Sequence, residues 1–132
     1  MGRLISVLLA LVIGAVAGIA VAAPALQEQS SMDAGVGIAV TPRALTGATW
    51  TFDVVLVTHS GSLDDDLAKE AVLIADGGAA RPAVAWQGTS PGGHHRKGVL
   101  SFQAPSEMPS ALEVRIQRPG ENAARVFRWN LK

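Results

Sequence analysis

Cysteine is absent from the 132-residue chain, which excludes a disulfide, a thiolate metal site and a lipid-modified cysteine. A chain without such staples relies on packing alone, and that favours a compact sandwich over a small loop-rich scaffold. An excess of one charge is missing too. Eleven Lys and Arg stand against eleven Asp and Glu, so no basic footprint points to nucleic acid or to an anionic lipid surface. Nor is there a nucleophile elbow, a phosphate-cradling glycine loop or a paired-carboxylate site. Ser60 follows His59, but adjacent side chains on a strand diverge and no orienting acid is specified, so the two do not make a triad. Three adjacent carboxylates, Asp64 to Asp66, lack the spaced ligands and internal glycine of a calcium loop. They read as a solvated acidic turn pinned by Leu63 and Leu67. The expectation is a non-catalytic protein without internal repeats.

What is present begins with one long apolar run. Leu4 through Ala23 carries no charge and follows Arg3, the pattern of an export signal. Ala20-Val21-Ala22 and Ala23-Pro24-Ala25 both offer small residues to a signal peptidase. Proline directly after a cut is disfavoured, so cleavage behind Ala22 or Ala25 is favoured over cleavage behind Ala23. The run also matches the ~20 residues that span a bilayer, with Gly14 and Gly18 at the spacing of packed membrane helices. An uncleaved anchor is therefore the alternative, and membrane contact is expected only through this segment. Residues 1–25 are read as signal peptide or signal anchor, 26–35 as a flexible linker and 36–132 as one domain, periplasmic or extracellular.

The domain reads as short strands. Val36 to Thr41 is stopped by Pro42. Thr49 to His59 is the strongest, with Trp50, Phe52, Val54 and Leu56 on one face and Thr51 and Asp53 on the other. Val55 and Val57 make its second half apolar on both sides, the pattern of a strand covered on both faces. Gly61 to Leu67 reads as a turn followed by one helical turn capped by Ser62. Ala71 to Ala75 and Arg81 to Trp86 form an expected hairpin, and Val99 to Phe102, Ala111 to Gln117 and Arg125 to Leu131 follow. All three tryptophans and three phenylalanines fall inside these runs and read as core. Seven short strands with turn residues between them predict an all-β, antiparallel, immunoglobulin-like sandwich.

Thr58-His59-Ser60, the Asp64 to Leu67 turn, Trp86-Gln87-Gly88 and Gly92-Gly93-His94-His95-Arg96-Lys97-Gly98 together resemble a family of secreted prokaryotic β-sandwich domains. The resemblance runs from about Trp50 to the C-terminus, and the double-histidine segment is its most specific part. Gly61 departs from the β-branched residue expected there. The family carries no assigned activity, so the resemblance implies a discrete exported domain and no chemistry. A small exported sandwich with histidines at loop ends is also similar in architecture to periplasmic copper-handling domains.

All three histidines lie in two short segments, and no other groups suit metal binding as well. His59, His94 and His95 are the candidate metal ligands. Three neutral imidazoles plus water suit zinc, and an all-nitrogen set also suits copper(II). Neighbours on a strand point to opposite faces, so His94 and His95 reach one ion together only if Gly92-Gly93 keep the segment bent. Otherwise His59 pairs with one of them, and Asp64, Asp66 or water completes the shell. The competing expectation is a structural or protein-interaction module of the cell envelope, whose histidines fasten its loops while Arg96 pairs with the acidic turn. A third possibility is an anion or protein site at Arg96-Lys97.

Overall fold

A computed structural model describes residues 26–132; the signal or anchor expected over 1–25 lies outside them. Alternation drives what forms. The strands are β1 (Gln29–Asp33), β2 (Val36–Ala44), β3 (Thr49–Thr58), β4 (Ala71–Ala75), β5 (Arg81–Pro82), β6 (Ala85–Gly88), β7 (His95–Gln103), β8 (Ala111–Ile116) and β9 (Arg125–Asn130), with one helical turn, α1 (Leu67–Glu70). They make a five-stranded sheet in the order β1-β2-β3-β7-β6 and a four-stranded sheet in the order β5-β4-β8-β9. Every pairing is antiparallel. Among the described residues, no helix is long and apolar enough to cross a membrane.

The inner faces meet in one core. Trp50, Phe52, Val54 and Leu56 of β3 and Leu100 and Phe102 of β7 are buried. They share a cluster with Leu112, Val114 and Ile116 of β8 and Phe127 and Trp129 of β9. Phe52 packs edge-on against Phe102 at 5.6 Å between ring centroids. It also bridges the sheets to Trp129 at 5.7 Å. Burying each of these large side chains stabilises by roughly 1.5–3 kcal/mol. The indole N–H of Trp129 donates to the Gln27 carbonyl at 2.7 Å, so the ring tip is satisfied where it leaves the core.

Three differences from the sequence reading have physical causes. The stretch read as a linker contributes β1, which joins the sheet through backbone pairing with β2. Its side chains are mostly exposed, so no apolar alternation marks it. A two-residue turn, Ala34-Gly35 with φ of 49° and 75°, connects it to β2, since two left-handed residues match the twist of a tight hairpin. The expected single hairpin partner Arg81 to Trp86 is divided. Arg81–Pro82 pairs with β4, and Ala85–Gly88 pairs with β7 in the other sheet. β2 also continues past Pro42, with a register shift between Pro42 and Ala44, the irregularity that a residue without an N–H imposes.

Candidate functional site

The β3–β7 register brings the histidines to one end of the five-stranded sheet. His95 lies opposite Val57, and the Thr58 amide donates to the His94 carbonyl at 2.9 Å. His59 is the next residue along, so all three histidines fall within two register positions. Each is exposed. His95 begins β7 rather than standing in a bent loop, so its side chain shares the outer face with Val57. Among the described residues no group of three or more His, Asp or Glu side chains is placed to hold a metal ion.

Among the described residues, backbone groups and arginine fasten these loops. Leu63 donates to the Gly93 carbonyl at 3.0 Å, and Gly92 donates back to Leu63 at 2.8 Å. The Thr58 hydroxyl donates to Gly35 and Ser60 carbonyls at 3.1 and 2.8 Å. Arg96 is 1% exposed and meets the acidic turn through carbonyls rather than carboxylates. Its Nη1 donates to Asp65 O at 2.6 Å and to Leu63 O at 3.4 Å. Nε and Nη2 donate to Thr89 O at 3.3 and 3.2 Å. The guanidinium stacks 5.7 Å from the Trp86 ring. Gly98 permits this, because a Cβ there would come within 2.7 Å of the indole. Lys97 remains exposed, so it alone of the Arg96-Lys97 pair is available to a ligand.

Behind that turn lies a charge network that hydropathy and motif spacing do not mark. Of the three adjacent aspartates only Asp65 is buried, and its carboxylate accepts a fork from Arg118 Nε and Nη2 at 2.8 and 2.9 Å. Arg118 also reaches Glu121 at 3.1 Å, and Glu121 holds Arg125 at 2.7 Å. Arg125 then donates to the carbonyls of Ser31, Asp33 and Val36, tying β9 to the β1–β2 hairpin. Burial pushes the Asp65 carboxyl up, but hydrogen bonds from Arg118 and Glu70 together with the arginine charge hold it below the ordinary aspartate range. Glu121 is likewise held low, first by its bond from Arg125. Glu70 goes the other way. Both its carboxyl oxygens are buried without a protein donor, and burial, then its contact with Asp65, raise it to about 8. A protonated Glu70 donating to Asp65 accounts for both observations. The one sequence cue was Glu121, with an arginine three residues before it and another four after.

The other notable feature is the outer face of the five-stranded sheet. Register aligns Met32, Gly37, Val57 and His95 in one row across it, and Ser30, Ala39, Val55 and Lys97 in the next. No segment among the described residues covers this face, so among them β3 is covered on one side only. Val57 is 37% and Met32 71% exposed. A shallow cavity of about 210 Å³ opens there between Met32, Gly37, Ala39, Val55 and Val57. Farther along lie Glu28 and the exposed Arg43–Asp53 pair at 3.5 Å. No family model, curated protein or solved structure matches the chain.

Proposed function

We propose that the chain is an exported, non-catalytic, immunoglobulin-like module of the cell envelope that docks a protein on the open face of its five-stranded sheet. The observation that carries this is the apolar second half of β3. Val55 and Val57 alternate with buried residues and stand on a face that the described residues leave open. Exposed apolar side chains that form a contiguous patch mark an interaction surface more often than single scattered ones do. Polar neighbours border the patch, His95 beside Val57 and Lys97 beside Val55, as the rim of a protein interface requires. The apolar run over residues 4–23 supports export, and the resemblance to secreted prokaryotic domains supports a discrete exported domain.

A photo-crosslinking amino acid at position 57, in cells of the source, tests the reading. A specific adduct from position 57 and none from position 126, an exposed valine of the opposite sheet, is the expected result. Absence of an adduct at 57, or identical adducts from both positions, overturns it.

A second reading, binding of copper(II) or zinc by His59 with His94 or His95, is favoured by the register that gathers all three at one strand end. Two imidazoles from adjacent strands, completed by water or by Asp64 or Asp66, would suit either ion. Calorimetric titration of untagged protein with both ions, on wild type and each single histidine variant, tests this. Equal responses from all four proteins remove it.

A further inference from the structure

We infer that the occupant of the open face is a second copy of this chain, stacked face to face about a two-fold axis running along the strands between β2 and β3. The inference rests on the docking reading and adds the identity of the partner. Four columns of the sheet, β1, β2, β3 and β7, are symmetric about that axis. The rotation therefore sets β7 of one copy over β1 of the other and keeps each row in its own level.

Three features make the face complementary to itself. The columns beside the axis carry Gly37 and Ala39 on β2 and Val55 and Val57 on β3. These side chains are short, so two sheets can approach to the ~10 Å of packed sheets without a clash at the centre. The rotation matches the ends of the first row, setting Met32 against His95 of the second copy. It also sets Lys97 above Ser30 of the second copy, with Glu28 of that copy two residues away on the same side of the chain. That spacing is about 7 Å along a strand, within reach of a lysine side chain. Among the described residues neither Glu28 nor Lys97 has an ion-pair partner within its own chain. Face-to-face stacking supplies one to each, twice over.

The size is that of a small interface. The four stacked strands are 5, 9, 10 and 9 residues long, and at ~4.8 Å spacing and ~3.3 Å per residue they give a face of about 520 Å². A standard protein interface buries about 800 Å² per partner, so this dimer belongs to the weaker class. The arrangement is isologous and closes at two copies, so it yields a dimer and not a fibre.

The test is charge reversal with mixing, read by sedimentation. The protein is used as its source exports it. Wild type should sediment increasingly as a dimer as its concentration is raised. Lys97→Glu alone opposes two acids at each contact, and Glu28→Lys alone opposes two bases, so each should weaken dimerisation about tenfold or more. An equimolar mixture restores both pairs and should form a heterodimer. Circular dichroism confirms that each variant is folded. A monomeric wild type, or a dimer indifferent to both substitutions, overturns the proposal. Mass analysis of the crosslink from position 57 separates the two levels of the argument. An adduct of twice the chain mass supports the second copy. A different mass overturns the second copy and leaves the docking reading standing, and no adduct removes both.

Discussion

Replacing Glu70 with glutamine isolates the buried acid pair. The Glu70 carboxyl stands at about 8 in the folded protein against an ordinary 4.5, so between those values the folded state holds a proton that the unfolded state has released. Stability therefore falls as pH rises across that window, with a slope of at most about 1.4 kcal/mol per pH unit for one proton. The full shift would convert to roughly 5 kcal/mol, and partial exposure of Glu70 reduces this to about 2 kcal/mol between pH 5 and 8. Asp65 and Glu121 are shifted downward. Their contribution is present above the ordinary carboxylate range and lost only in acid, so it is constant across the window. In the Glu70→Gln variant the amide donates to Asp65 at every pH, and this part of the pH dependence disappears. Urea denaturation followed by tryptophan fluorescence at pH 5, 6, 7 and 8 measures it. Groups that titrate equally in both proteins cancel in the difference. The variant should match wild type within ~0.5 kcal/mol at pH 5 and exceed it by about 2 kcal/mol at pH 8. Parallel curves would refute the shared proton.

Three further outcomes follow from the same contacts. Arg125→Met removes two hydrogen bonds to Glu121, which keeps only Arg118, and the arginine donor of three β1–β2 carbonyls; it should cost about 3–5 kcal/mol by urea denaturation and speed hydrogen exchange in β1 ahead of β8. Trp129→Ala removes a ring that is 4% exposed and should cost ~3–5 kcal/mol, whereas a loss below ~1 kcal/mol would contradict its place in the core. His59→Ala should change stability by less than ~0.5 kcal/mol, because the side chain is exposed. If zinc or copper binds as the second reading holds, either ion should raise the melting temperature of wild type and not of this variant.

The strands that face the core were legible because their alternation is clean. Trp50, Phe52, Val54 and Leu56 on β3, Leu112, Val114 and Ile116 on β8, and Phe127 and Trp129 on β9 are all buried, as their spacing requires. What the sequence hid was held by backbone or by charge. β1 is a mostly polar edge paired to β2 through its backbone. The division of 81–88 between two sheets depends on which neighbour each half meets, and that is a property of the assembled core. Asp65, Arg96 and Arg125 carry charges, so a hydropathy pattern assigns them to the surface, yet each is buried with hydrogen-bonding partners. The histidines stand out in the sequence by their chemistry, and the register gathers them at one strand end. The sequence offers Ser62 as the cap of the helical turn. Asp66 occupies that position without a side-chain cap, and Ser62 instead donates to Asp64 at 2.9 Å.

The central claim, that the outer face of the five-stranded sheet is covered when the protein is at work, has a reporter in the chain itself. Met32 stands on that face at 71% exposure, and Met108 lies elsewhere at 51%. Dilute peroxide, followed by mass spectrometry of the two peptides, compares their oxidation in isolated dilute protein and in intact cells. Both methionines should oxidise readily in the dilute protein. In cells the account predicts Met32 protected at least several-fold relative to Met108. Equal oxidation of Met32 and Met108 in both settings would contradict it.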